Sequence, residues 1–297
     1  MKIIDAHHHF WSVKSGNYPW LENRDLKTLW GSPSDIPSEF LPEDLFAITG
    51  NLELAKSVHV QCGYDETRSA DESKWLQSLA DAPDSGGFPH DIVAFADFSA
   101  PDVEALLSKH CEYKNVRGIR QLLNRHKIEH WCMAERDFLK DDTWRKNFNL
   151  LGKYDLSFDL HLYYQQIDDA LSLARENPDI VFILNHAGVP ADRDTESIEA
   201  WSSAIQKLAE CPNVVAKISG LGMCDHDWTL QSIRPFVIAV IEAFGVDRCM
   251  FASNFPVDMK FSDYLTVWNA YDEITAGASE DERRKLFHDN AENYYRI

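Results

Sequence analysis

Eight short runs of apolar and β-branched residues recur along the chain, and six of the seven gaps between them, together with the tail behind the last, carry stretches with helical spacing. That alternation restricts the fold more than any other feature. Strands separated by helices cannot pair as hairpins, so they build a parallel sheet with crossover helices. The expected strands are the opening run around Ile3–His9, then Ser57–Cys62, Ile92–Phe98, Val116–Arg120, Leu156–Leu162, Ile180–His186, Val214–Ser219 and Cys249–Ser253. The expected helices are Glu66–Ala80, Pro101–Glu112, Asp142–Lys153, Ile167–Asn177, Glu196–Glu210, Leu230–Phe244, Tyr264–Ile274 and Glu280–Glu292. Eight parallel strands with helices between them predict an α/β fold, a closed (β/α)8 TIM barrel. A chain of 297 residues, 44% hydrophobic, suffices for one such domain over 1–297. The segment 12–49 is the longest irregular stretch, with four prolines and Tyr18, Trp20 and Trp30 among them. Since it follows the first strand, it is expected as a loop over the barrel mouth, shaping a pocket or packing on the outer helices.

In such a barrel the reacting groups come from the C-terminal ends of several strands. Polar residues collect there. His7 and His9, at i and i+2 on the first strand, point the same way and make a metal clamp, while His8 faces the other side. The other strand ends offer Gln61, Asp97, Arg120, His161, His186, Ser219 and, just after strand eight, Asn254. A histidine at one of these places would read as a core residue satisfied by hydrogen bonds. Four on three strand ends point to a site. Arg117 and Arg120, three apart on a strand, face opposite sides, so Arg120 is the one expected inside and Arg117 is expected in an ion pair. Glu66 is expected to cap a helix or contact substrate.

Charge narrows the partners. A net charge of -19 makes the average surface repel polyanions, which argues against nucleic acid and anionic membranes. The six cysteines show no paired spacing and are expected to be reduced and mostly buried. Met1-Lys2 runs straight into strand-like sequence with no signal-peptide pattern, which sets a cytoplasmic location as the expectation. Self-association, as a homo-oligomer, stays open.

The motifs Asp5-Ala6-His7-His8-His9-Phe10-Trp11, Val58-His59-Val60-Gln61, Val116-Arg117-Gly118-Ile119-Arg120, Asn185-His186-Ala187-Gly188-Val189-Pro190, Lys217-Ile218-Ser219-Gly220-Leu221 and Phe251-Ala252-Ser253-Asn254-Phe255-Pro256 resemble those of the amidohydrolase superfamily. Within it they are similar to the lactonase-like branch, which includes sugar-acid, muconolactone and pyrone-dicarboxylate lactonases. The resemblance implies a distorted barrel hydrolase with His7, His9 and His186 at the family's site histidines, and Arg120 at an arginine that faces a substrate carboxylate or lactone. One position departs from the pattern. Most amidohydrolases carry an aspartate where Asn254 stands, and an asparagine cannot accept a proton at neutral pH.

Two mechanisms follow for the opening of a small carboxylated or polyhydroxylated lactone. In one, His7, His9 and His186 bind a single divalent metal, for which Zn²⁺ suits imidazole, and the metal acidifies its bound water. In the other, no metal is bound, the histidines hydrogen-bond the carbonyl, and His161 or Asp258 takes the proton. Gln61, Arg120, Trp11 and Trp20 are the expected substrate contacts. A decarboxylase of the same superfamily and a non-catalytic small-ligand binding protein are the competing readings.

Overall fold

The computed structural model describes residues 2–297. Its eight barrel strands are β1 (Lys2–His8), β2 (Glu53–Val60), β3 (Asp91–Ala94), β4 (Val116–Ile119), β5 (Ser157–Leu160), β6 (Phe182–Leu184), β7 (Val214–Ile218) and β8 (Cys249–Phe251). Each pairs in parallel with the next in chain order. The ring closes through a parallel bridge between His8 and Phe255, and through bonds from the Asn254 and His9 amides to the carbonyls of His7 and Phe255. All eight predicted strands are present, but most are shorter at their C-terminal ends. There the chain leaves the ladder to present side chains at the mouth.

Strand periodicity explains two concentric cores. Ile4, Ala6, Val58, Val60, Val93, Ile183, Val215, Met250 and Ala252 fill the barrel, and Ala291 and Tyr295 pack with them. Residues of opposite parity, such as Ile92, Phe158, Phe182, Leu184 and Val214, pack outward against the helices. Gly118 faces inward at a narrow point, where a Cβ would stand 2.7 Å from Ser157 Oγ.

Helix ends follow local chemistry. Asp194, Thr229, Asp263 and Ser279 cap the helices Thr195–Leu208, Leu230–Phe244, Tyr264–Ile274 and Glu280–Arg284 through their side chains. Two predicted helices are interrupted. Asp142–Lys153 divides at Asn149, and the last one contains a π-turn, Lys285–Asp289, before Asn290–Tyr295. Segment 12–49 is more ordered than expected: Trp11–Ser12 pairs with Glu39–Phe40, and a helix spans Pro42–Ile48. All six cysteines are free, but only Cys62, Cys211 and Cys249 are buried, fewer than expected. No helix among the described residues is long and apolar enough to cross a membrane.

Candidate active site

The pairing register of β1 slips between Asp5 and His8, which face Ser57 and His59. Three residues on β1 thus match two on β2, a bulge that shifts the side-chain phase. Ile4 and Ala6 lie inside the barrel, yet it is His7 and His9 that turn to the mouth. His8 faces outward, where its Nε2 lies 2.8 Å from Ser57 Oγ.

Around this pair the strand ends bring a compact set together. Ring centroids lie 5.0 Å apart for His7 and His9, 4.5 Å for His7 and His186, and 5.0 Å for His161 and His186. His9 Nδ1 donates to the Val60 carbonyl over 2.7 Å, leaving Nε2 with the lone pair. His186 Nδ1 is 2.9 Å from Ser219 Oγ. Its backbone is left-handed at φ 53°, as is that of Asn254 at φ 62° and Val189 at φ 47°. Such conformations cost energy in non-glycine residues and persist where surrounding structure enforces them. Gly220 makes room beside His186: a Cβ there would stand 2.6 Å from His186 Nδ1.

All four imidazoles are held neutral. Burial drives the His7, His161 and His186 rings well below their usual pKa, with Lys217, Arg120 and His161 respectively adding the largest charge effect. Burial and then Arg120 bring His9 down to about 3. Arg120 itself, pulled down by burial to about 10, stays charged at neutral pH. Its Nη2 donates to the Gln61 carbonyl, and its Nη1 lies 3.4 Å from both His7 Nε2 and Asn185 Oδ1. Beneath them Lys217 pairs with Asp159, both with fully buried side chains. Asp159 also accepts from Asn185 Nδ2 at 2.9 Å and from the Tyr295 hydroxyl at 3.0 Å.

Above this floor opens a cavity of about 530 Å³. His9, Arg120, His161, His186, Asn254, Trp11 and Trp20 line it. Trp30, Tyr64, Trp131, Tyr163, Met133 and Met223 widen the apolar part, and Lys27, Asp65 and Glu66 stand among the polar residues. Segment 12–49 thus contributes its stretch from Pro19 to Trp30 to the cavity wall.

Several candidates lie elsewhere. Gln61 does not line the cavity: its Oε1 accepts from the Gly63 amide, and only its carbonyl touches the site, through Arg120. Asp97 is spent on Ser99 and Gln121. Asp258 stands behind Asn254, whose amide donates to it; burial pushes its carboxyl up to about 7, but it does not reach the cavity. His7 is also beneath the lining, covered by Arg120. Arg117 takes the ion pair expected of it, 3.7 Å from Asp91. The cap before Glu66 is Asp65, so of its two expected roles Glu66 keeps only the cavity. Asp159, Lys217 and Asn124 were not anticipated. The first two share strand parity with His161 and Ser219, a signal legible in the sequence; Asn124 sits in a loop without periodicity.

The donor set fits a metal in kind: three neutral imidazoles, two of them with Nδ1 engaged by Val60 and Ser219, as metal-bound histidines are. His7 Nδ1 has no partner among the described residues, while Arg120 Nη1 stands 3.4 Å from its Nε2. Two other sets bring their ligand atoms within 4.8 Å of one another: His59, Cys62 and Glu72, and His288, Asp289 and Glu292. In the first, the Phe10 amide donates to His59 Nδ1 at 2.9 Å, which places the ring proton on Nε2, 3.9 Å from Glu72. Cys62 Sγ also lies 3.4 Å from Glu72.

A family model described as amidohydrolase matches residues 4–297. The chain is 47% identical over 296 residues to the uncharacterized protein y4mH of Sinorhizobium fredii, covering 99% of this chain and 98% of the relative. It is 28% identical over 306 residues to an L-fucono-1,5-lactonase of Burkholderia ambifaria, covering 99% and 95%. A solved structure of an amidohydrolase from Burkholderia multivorans with bound zinc superposes with a TM-score of 0.81 at 25% identity, over the whole of both chains.

Proposed function

The chain belongs to the amidohydrolase family, and from that premise we propose that it opens a small lactone, of a sugar acid or a carboxylated ring, by attack of water on the acyl carbon. It is a hydrolase acting on carboxylic ester bonds, as its lactonase relatives are. The observation that carries the reading is the juxtaposition, on one cavity floor, of neutral His9, His161 and His186 with a charged Arg120. A divalent metal, zinc in this reading, held by His7, His9 and His186 would supply a water acidified towards neutral pH.

The residues themselves divide the work. Arg120 is a buried cation at the cavity floor, placed to stabilise the oxyanion that forms as the carbonyl is attacked. His186, locked by Ser219 and by its strained backbone, orients the attacking water. His161, neutral and with its Nδ1 unpartnered among the described residues, accepts a proton at that atom. Arg120 and Lys217 disfavour a lasting imidazolium there, so the proton passes on to the leaving oxygen. An alkoxide accepts it readily, which favours a lactone over an amide. Asn254 orients and does not titrate: its Nδ2 is committed to Asp258, and its side chain also hydrogen-bonds His9.

A lactone panel followed by proton release tests this. Wild type is expected to release one proton per lactone opened, and His186→Asn and Arg120→Met to lose about a hundredfold or more of kcat, the scale seen for an oxyanion donor. Carbon dioxide from a hydroxybenzoate, or saturable lactone binding without turnover, would replace the reading with a decarboxylase or a binding protein.

A further inference from the structure

Asn124 lines the cavity in the loop after β4 and is 1% exposed, yet neither its Oδ1 nor its Nδ2 has a hydrogen-bond partner among the described residues. A buried primary amide left unpaired is costly, and such groups are rare in native folds. Its backbone, by contrast, is thoroughly fixed. The Asn124 carbonyl accepts from the amides of Met133 at 3.0 Å and Ala134 at 3.2 Å. On either side, Gln166 holds the chain: its Nε2 donates to the Leu123 carbonyl at 2.7 Å, and its Oε1 accepts from the Arg125 amide at 2.9 Å. Leu123 in turn donates its amide to the His161 carbonyl at 3.0 Å. An unpaired amide is therefore carried on a rigid loop tied to His161, whose own Nδ1 is also unpartnered.

We propose that Asn124 is a specificity-determining residue that reads a hydroxyl group of the ligand, and that the lactone is accordingly a neutral, hydroxylated one. This rests on the lactone reading above. The ligand class follows from what the amide offers. It presents one acceptor and two donors, and a hydroxyl is the group that both donates and accepts. A carboxylate would satisfy Nδ2 and set its negative charge against Oδ1. At the floor the one cation facing the cavity is Arg120, which the reading above assigns to the reacting carbonyl, so a substrate carboxylate finds no second one there. On the cavity wall Asp65 and Glu66 outnumber Lys27, so the wall offers acceptors for further hydroxyls and a net negative charge.

The test compares ribonolactone with unsubstituted γ-butyrolactone in wild type, Asn124→Leu and Asn124→Ser. In parallel, tryptophan fluorescence measures binding of the corresponding lactams, ribonolactam and pyrrolidinone. Wild type is expected to favour the hydroxylated member of each pair by about tenfold or more, the consequence of leaving a buried polar group unpaired with the other. Asn124→Leu is expected to erase most of that preference, losing about tenfold more on ribonolactone than on γ-butyrolactone, and Asn124→Ser to restore part of it. The melting temperature of Asn124→Leu should equal or exceed that of wild type, because no protein hydrogen bond is lost. Equal losses on both members of a pair, or a lowered melting temperature with no change in preference, would overturn the proposal. If wild type binds ribonolactam through Asn124 but hydrolyses no lactone, the lactone reading falls and the assignment of Asn124 stands.

Discussion

Replacing Lys217 with methionine tests the floor on which the site is built. The Lys217 and Asp159 side chains are both fully buried, and no other cation among the described residues bonds Asp159. Removing the ammonium leaves Asp159 with only Asn185 and Tyr295 as donors, a buried charge without its counter-ion. Breaking one side of a buried pair costs about 3–5 kcal/mol. With an unfolding entropy of about 2.1 cal/mol/K per residue, a chain of this length has about 0.6 kcal/mol/K, so the melting temperature should fall by about 6 °C. One further reading sharpens the test. The double variant Lys217→Met, Asp159→Leu should recover most of the loss, because replacing both partners removes the orphaned charge. Circular dichroism melts measure both. A single variant that melts within about 1 °C of wild type would refute the reasoning, since a buried carboxylate cannot lose its cation at no cost.

Glu72 gives a pH signature away from the cavity. Burial raises its carboxyl from 4.5 to about 7, so it takes up a proton on folding in that window. Its contribution is full below about pH 4.5 and is lost as pH rises to about 7, about 3 kcal/mol in all, and Glu72→Gln should flatten that slope in urea titrations. If the slope persists in the variant, Glu72 is not its source. Gly220→Ala forces a Cβ against His186 and a side chain into φ 62°; it should lower stability by about 1–2 kcal/mol and kcat by about tenfold or more, whereas unchanged kinetics would mean that the His186 ring need not be held where it stands. Zinc added to chelator-treated protein should bind at one equivalent, and His9→Ala should weaken it by about a hundredfold, read by equilibrium dialysis; no zinc uptake by wild type would remove the metal from the mechanism.

The barrel was legible because its strands are largely buried on both faces and several therefore read as apolar runs, such as Val181-Phe182-Ile183-Leu184. Strand ends were less so. Residues 95–98 continue the pattern of β3 but leave the ladder, a departure that depends on neighbours far away in sequence. The bulge in β1 was invisible for the same reason: the phase shift that turns both His7 and His9 to the mouth arises from pairing with β2, not from local preference. Most of the site's imidazoles and Arg120 could be found from their positions at strand ends. Gln61 and Asp258 could not be excluded, because whether a polar side chain turns to the cavity or to a neighbouring amide is decided by loops. Asn124 shows the converse. A loop asparagine carries no periodic signal, and only the absence of a partner in the folded chain marks it.

Opening the lactone in water enriched in heavy oxygen tests the central claim most directly. Attack on the acyl carbon at the floor formed by His186 and Arg120 predicts one labelled oxygen in the product carboxylate, none in the released hydroxyl, and loss of the labelled product in His186→Asn. Label in the hydroxyl, or undiminished labelled product from the variant, would contradict it.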